Sequence, residues 1–399
     1  MKQLLALGLV WMAAGLYCHA AAARAEVAAY YFPNYHPNPH NSARYGTNWT
    51  EWELLRAAKP RFPGHAQPKV PAWGYEDESR PEVMARKIAT AAEHGIAAFI
   101  FDWYWYGTNR FLERGLEQGF LKATNSARLK FALMWANHEW VELFPAKADG
   151  RRDLIYPTAT TPESFDRMSD YIVKNYFSQP NHWRLDGKPY FSIYEMMTLV
   201  KELGGIQQTR DALDRFRART KAAGFPDLHL NAVVWGLKPP TNNPTVKSAA
   251  DMARALGVDS VTSYCWMHHV YPDKFPTTDY AEVAAKSAVV WENFRRELPV
   301  PYFPNVSMGW DSTPRTEQNA EFENRGYPYT PVLIGNTPEQ FRQALEKARV
   351  FMTARKAGPP VLTLNAWNEW TEGSYLEPDT TNGMRYLEAI REVFPPPRP

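Results

Sequence analysis

The chain has 399 residues, with 45 Lys and Arg against 43 Asp and Glu, for a formal net charge of +2. That balance excludes the basic footprint of a nucleic-acid binder or of a protein held on an anionic membrane surface. Fifteen tryptophans are a high count, and indole faces stack on sugar rings while the indole N–H donates a hydrogen bond.

Residues 1–25 read as a targeting segment. Lys2 gives the positive start, the apolar run from Leu4 to Leu16 is shorter than a membrane span, and Ala23-Arg24-Ala25 fits an A-x-A cleavage site. The expectation is a mature chain from Glu26, in the periplasm or outside the cell, with no stable membrane insertion. Tyr17 stands before Cys18 where a lipoprotein needs a small residue, so Cys265 is the only mature cysteine. A lone buried thiol is expected there rather than a disulfide framework or a nucleophile.

From Glu26 onward, short apolar runs alternate with helical patterns. The first run, 27–32, carries Tyr31 and ends at Pro33; a long loop behind it holds Glu51 and Trp52 within Asn48-Trp49-Thr50-Glu51-Trp52. A helix opened by Pro81 and Glu82 runs to about Glu93. The second run, 97–101, leads into Asp102 and Trp103, and a helix is expected at 112–123. The third, 130–134, leads to Trp135, Asn137 and Glu139, and a second long loop, 141–160, precedes a helix capped by Thr161 with Pro162 behind it. The fourth, 190–194, ends at Glu195; after an amphipathic helix at 209–223, the fifth, 229–234, ends at Trp235. The sixth, 258–264, brings Tyr264 and Trp266. A helix at 280–297 leads to the seventh, 302–306, with Trp310 and Asp311 behind it. Thr337-Pro338-Glu339-Gln340 is a capping box. The eighth run, 361–364, follows Gly358, Pro359 and Pro360 and opens into Trp367, Asn368, Glu369, Trp370, Glu372 and Tyr375.

Eight strands alternating with helices predict an α/β fold, a (β/α)8 TIM barrel, as one domain over 26–399 with long loops after strands 1 and 3. Nine tryptophans (103, 105, 135, 140, 235, 266, 310, 367 and 370) fall near the C-terminal ends of predicted strands, the face where this fold binds substrates. Some of these rings are expected to cap the barrel core instead.

No G-x-G-x-x-G, Walker A, H-E-x-x-H or G-x-S-x-G pattern occurs, and no D-x-D. His268 and His269 are adjacent, so a strand would point them to opposite faces; no metal or cofactor is expected. Carboxylates among aromatics remain, the requirement of glycoside cleavage. Two pairings compete. Glu369 and Glu372, three apart on one turn, form one; Glu195 and Asp311, across the barrel mouth, form the other. Glu369 and Glu372 also fit a purely structural turn capped by Asn368. If they are the pair, Glu372 under Trp370 is expected to carry the raised pKa of an acid while Glu369 stays ionised.

The motifs YYFPNYH, N-W-T-E-W, F-P-G-H-x-Q-P, W-A-N-H-E-W, D-G-K-P-Y, G-W-D-S-T-P-R and N-E-W-T-E-G-S-Y-L-E-P span nearly the whole mature chain. Together they resemble glycoside hydrolase family 99, the endo-α-mannosidases, and more closely the family 99-like proteins called WbsX-like. The resemblance implies a (β/α)8 barrel and an endo-acting, retaining glycosidase. In that chemistry one glutamate deprotonates the sugar's 2-hydroxyl, which attacks C1 to give a 1,2-anhydro sugar, and a second glutamate acts as acid and then base. Carried over, Glu369 matches the first and Glu372 the second, and Thr371 stands where the family's mannosidases have His. The resemblance also implies a polysaccharide or oligosaccharide partner, mannan-like or from a bacterial surface. A WbsX-type glycosyltransferase and a non-catalytic carbohydrate-binding barrel are the alternatives. The protein is expected to act as a monomer.

Overall fold

Eight strand positions form the wall of the barrel: β1 (Glu26–Tyr31), β2 (Ile96–Tyr106), β3 (Lys130–Trp135), β4 (Lys188–Ile193), β5 (His229–Val233), β6 (Ser260–Thr262), β7 (Tyr302–Phe303 and Asn305–Ser307) and β8 (Val361–Asn365). The computed structural model describes residues 24–107, 109–241, 243–354 and 359–397. The expected targeting segment is described only from Arg24 onward; its residues up to Ala23, with Cys18 among them, and Gly358 lie outside the described residues.

Each wall strand pairs in parallel with its neighbours. β7 is split at Pro304: its first half pairs with β6 and its second with β8, and β8 pairs with β1, which closes the ring. Proline has no N–H for a ladder, but its carbonyl accepts from Thr363 N, so the break keeps the two halves in line. The strands read as near-continuous apolar runs because both faces are covered, by the barrel interior and by the outer helices. Val27 to Tyr31 are all buried. Helices at Pro81–Glu93, Pro162–Ile172, Ile206–Ala222, Ala249–Leu256, Tyr280–Glu297 and Pro338–Thr353 follow β1, β3, β4, β5, β6 and β7 in turn, and Arg385–Val393 packs against Pro338–Thr353.

Three elements differ from the sequence expectation. β2 continues to Tyr106 because its end folds back on Asn109–Phe111 as a hairpin, so Asp102 and Trp103 sit inside a strand. In place of an α-helix at 112–123, a π turn at Gly115–Gly119 passes into a 3-10 turn at Phe120–Lys122. Glycine is a poor helix former, and a side chain on Gly119 would run into the Glu78 carbonyl. A third long segment, 308–337, follows β7 besides the two expected insertions. It carries a 3-10 turn at Thr313–Arg315 and a strand at Val332–Ile334 that pairs with Thr277–Asp279. The first insertion holds two short helices, Pro39–Tyr45 and Trp52–Ala57, and the second a hairpin of Trp140–Val141 with Leu154–Tyr156.

Candidate active site

Behind β8 the chain makes a hairpin. Asn368–Glu369 pairs antiparallel with Ser374–Tyr375 around a single 3-10 turn, Trp370–Glu372. The turn ends at Gly373, whose φ of 62° is left-handed; a Cβ there would lie 2.6 Å from the Asp311 Cβ. Glycine is needed on both counts, and the close approach lets Asp311 N donate to the Glu372 carbonyl at 2.5 Å. Asn368 is not a helix cap. Its Oδ1 accepts from Phe32 N at 2.8 Å and its Nδ2 donates to Phe32 O at 2.7 Å, tying the hairpin to the end of β1.

Glu369 and Glu372 meet on one guanidinium. Arg315 Nη2 lies 3.1 Å from Glu369 Oε2 and Nη1 lies 2.5 Å from Glu372 Oε1, while Nε donates at 2.7 Å to Glu51 Oε1. The guanidinium is buried between the rings of Phe32 and Phe144, 5.1 and 5.8 Å from their centroids. Glu51 also takes hydrogen bonds from Thr371 Oγ1 and, at 2.8 Å, from Asn34 Nδ2. Glu372 Oε1 accepts from Tyr327 at 2.7 Å as well, which leaves its Oε2 without a partner among the described residues, at the cavity wall. Tyr264 Oη lies 2.8 Å from Glu369 Oε1.

One cation shared among three buried carboxyls offsets only part of the cost of burying Glu369 and Glu372 as charges. Burial first, and then the charge of Glu372, hold Glu369 well above the usual carboxylate range against the pull of Arg315. Burial also raises Glu372, but Arg315 and the Tyr327 hydrogen bond oppose it. Both members are therefore raised, where the sequence led to an expectation of a raised Glu372 alone, because burial acts on both and they share one cation with Glu51.

The pair opens on a cavity of about 470 Å³. Of the residues predicted to bind substrate, Asp102, Glu139, Glu195, Trp235, Tyr264 and Trp310 line it with the two glutamates. The others lie behind the wall. Tyr31 donates to Glu78 Oε2 and Glu51 to nothing but receives Arg315, while Trp52 packs on Tyr35 and Trp370. Trp103 donates to Tyr176, Trp266 to the Asn305 carbonyl, and Trp367 and Trp370 to the two oxygens of Glu377. Trp135 packs against Phe165, Asn137 bridges to the backbone of Glu195, and Tyr375 stacks on Trp370 and donates to Asp379. Large indoles at the strand ends thus mostly plug the barrel: the N–H groups of Trp103, Trp266, Trp367 and Trp370 find buried acceptors, and that of Trp135 does not.

Asp311 is turned away from the cavity. His65 Nε2 and Gln67 Nε2 lie 2.9 and 2.7 Å from its Oδ2, and Thr313 Oγ1 donates to Oδ1 at 2.6 Å. Burial pushes its carboxyl up, but the His65 bond and charge, with Thr313 and Gln67, outweigh that and leave it below the usual value. Glu195 accepts from Thr198 at 2.6 Å on the cavity wall. The alternative pair across the mouth is therefore not assembled. Cys265 is buried on the wall, its thiol pushed up by burial. His268, also on the wall, is lowered to about 3 by burial and so is neutral.

Sequence reasoning left out Arg315 and Tyr327, and also Tyr104 and Tyr194, which line the cavity with Trp140, one of the nine strand-end tryptophans, and His268, weighed only as a metal ligand. Arg315 was within reach: two clustered buried glutamates require a cation, and G-W-D-S-T-P-R supplies one behind the seventh strand.

The family model described as Glycosyltransferase WbsX matches residues 27–390. Uncharacterized protein WxcX of Xanthomonas campestris pv. campestris strain B100 is 27% identical over 392 residues, which cover 93% of this chain and 50% of that protein. The chain thus spans about half the length of this relative. Among solved structures, the GH99 endo-alpha-mannosidase from Bacteroides thetaiotaomicron, in complex with Bis-Tris-propane, matches with a TM-score of 0.56 at 14% identity, over 92% of this chain and 96% of that one. A glycoside hydrolase-like protein matches at 0.57 and 16%, over 93% and 94%. Likeness at these identities is likeness of fold, a TIM barrel. With the family model covering almost every described element, the chain belongs to the Glycosyltransferase WbsX family.

Proposed function

We propose that the protein is a retaining, endo-acting glycoside hydrolase in which Glu369 is the base and Glu372 the acid. The observation that carries this is the pair itself: two carboxyls from one turn, bridged by Arg315, with Glu372 Oε2 left open at the wall of the cavity. An acid must reach the leaving oxygen with a free hydroxyl. Glu372 has its carbonyl oxygen fixed by Arg315 and Tyr327 and its other oxygen available for the proton. Glu369 takes the proton of the sugar's 2-hydroxyl as that oxygen attacks C1, the C1–O bond to the leaving group breaks, and the leaving oxygen receives the Glu372 proton. Water then attacks C1, giving its proton to Glu372, as the C1–O2 bond of the anhydro sugar breaks and the released 2-oxygen recovers its proton from Glu369. The site thereby returns to its starting state.

Arg315 is the only Lys or Arg among the described residues of the cavity wall, and its charge is already taken by three carboxyls. A sugar bearing a carboxylate finds no counter-ion there, which favours a neutral glycan. A nucleotide or lipid-phosphate donor meets the same lack, and that weighs against transfer. The test is incubation of the purified protein with a panel of neutral bacterial and fungal polysaccharides and no activated donor. Release of oligosaccharides is expected. Cleavage of none, with transfer from an added sugar nucleotide, would refute the hydrolase, and tight binding without either reaction would make the protein a binder.

A further inference from the structure

The Tyr264 hydroxyl has one hydrogen and two carboxyl neighbours, Glu369 Oε1 at 2.8 Å and Asp102 Oδ2 at 2.9 Å. A phenol can donate to one of them only. If both were ionised, the second contact would set a lone pair against a charged oxygen inside the barrel, with no hydrogen between them. One of the two carboxyls therefore brings a hydrogen of its own and donates it to the phenol oxygen.

The partners decide which. Glu369 keeps Arg315 Nη2 at 3.1 Å on its other oxygen. Asp102 is buried, its Oδ1 has no partner, and no cation pairs with it among the described residues. The titratable and charged groups around it are Tyr30 from β1, Tyr104 from β2, Tyr194 behind β4, Tyr264 behind β6, Arg315 behind β7, and Glu369 and Glu372 behind β8. Arg315 is the one cation of that set, and it is held by Glu51, Glu369 and Glu372. A carboxyl with a single donor and no cation is the one that stays neutral in a dry site.

We propose that Asp102 is a positioning residue that holds a proton in the resting site, donating it to the Tyr264 oxygen so that Tyr264 donates its own hydrogen to Glu369 and keeps that glutamate ionised. Burial, which lifts the Asp102 carboxyl well above its usual range, acts in the same direction. The inference rests on the hydrolase reading for its purpose and on geometry alone for the proton's place. It gives Asp102 a role through Glu369 instead of a direct contact with sugar. It also shows how a base can carry a strongly raised affinity for protons and still stand empty: the neighbouring acid takes the proton first.

Infrared difference spectroscopy on the whole protein at neutral pH locates the proton without any substrate. Wild type minus Asp102→Asn should show the loss of a protonated-carboxyl band that Glu369→Gln leaves in place. No such band, or one removed by Glu369→Gln instead, overturns the proposal. Circular dichroism of each variant shows whether it is folded, and Tyr264→Phe gives a second handle, because removing the shared hydroxyl should shift the Asp102 band without abolishing it. If the protein cleaves a glycan, Asp102→Asn, whose amide is a permanent donor, should lose no more than about tenfold in kcat and move the alkaline limb of the rate profile upward. Asp102→Leu should lose about 10²-fold or more. Equal losses in the two variants, with an unmoved limb, would make Asp102 merely structural. A wild type that cleaves nothing would defeat the hydrolase reading and leave the infrared result standing.

Discussion

The hairpin behind β8 and the segment that follows it hold four acidic residues within eleven positions, and the two ends of that stretch treat them differently. Glu377 is fully committed: Lys87 Nζ lies 2.7 Å from Oε1, Trp367 donates to Oε1 at 2.8 Å and Trp370 to Oε2 at 2.7 Å. Asp379 accepts from Tyr375 and from the backbone N–H groups of Thr381 and Asn382. Glu369 and Glu372 share one guanidinium with each other and with Glu51, and both line the cavity. The same residue type, a few residues apart, serves as a post at one end and lines the cavity at the other. The difference is the supply of donors: Glu377 has a full set of partners and its own cation, whereas Glu369 and Glu372 share theirs, and burial raises both of them.

The comparison breaks first in kinetics. Glu369→Gln should reduce glycan cleavage by about 10²- to 10⁴-fold, the range for a general base, with binding retained because the amide keeps the shape. Glu372→Gln should be as severe on natural glycans and mild on activated aryl glycosides, whose leaving groups need no protonation. Turnover on the polysaccharide and on an aryl glycoside, measured side by side, checks both. If each variant keeps nearly full activity, the hairpin is a structural turn and the reactive groups lie elsewhere.

At the other end the loss should be one of folding. Glu377→Ala leaves Lys87 without its ion-pair partner among buried rings and removes the acceptor of two indoles, a change that costs about 3–5 kcal/mol when one member of a buried pair is removed. Urea unfolding should show that loss, and the folded fraction at low denaturant should retain catalysis. Lys87→Met should restore part of the stability in the Glu377→Ala background, since it removes the unpaired charge.

Arg315→Lys lies between the two. A lysine keeps the charge but has no planar fork, so at least one of the three carboxyls loses its contact. Each charge-assisted bond is worth about 1.5–3 kcal/mol, and a fall of roughly ten- to a hundredfold in kcat is expected. With less cationic support the pair binds protons more tightly, so the acidic limb of the pH–rate profile should move to higher pH. A limb that stays in place, or moves down, would separate Arg315 from the pair's ionisation.

How much of this could be read beforehand divides along the same line. The eight strands were legible because two-sided burial writes itself as apolar runs such as VAAYYF, and the helix at Tyr280–Glu297 and the Thr161 cap follow from local patterns. Glu369 and Glu372 were legible because their proximity is set by three residues of chain. Which strand-end side chains turn inward was not, since that is decided from far away. Asp311 is drawn outward by His65 and Gln67, 246 and 244 positions earlier. Trp367 and Trp370 face Glu377 because the hairpin folds back on itself, and Tyr264 finds Asp102 across 162 positions. No local period carries such information, and an indole that plugs a barrel looks in sequence like one that awaits a sugar.

The smallest expected effect concerns stability against pH, where Glu369 and Asp311 should differ in sign. Glu369 is raised in the folded protein by burial and the charge of Glu372, so the native state binds its proton more tightly than the unfolded chain does. Its stabilising contribution is full below the unfolded value of about 4 and is lost as pH rises through the folded value. Asp311 is lowered, the His65, Thr313 and Gln67 interactions outweighing burial. Its contribution is present above about pH 4 and is lost as pH falls through the folded value. Glu369→Gln should therefore unfold at a higher temperature than wild type at neutral and alkaline pH, with the gain shrinking on acidification. Asp311→Asn should unfold at a lower temperature at neutral pH, and the deficit should narrow in acid. Differences of about 1 kcal/mol suffice to see the pattern, since one pKa unit corresponds to about 1.4 kcal/mol. Thermal melts of both variants from acid to mildly alkaline pH decide it. If Glu369→Gln is the less stable protein at neutral pH, Arg315 pays more attention to Glu369 than to its neighbour, and the ionised carboxyl at that position is a post like Glu377.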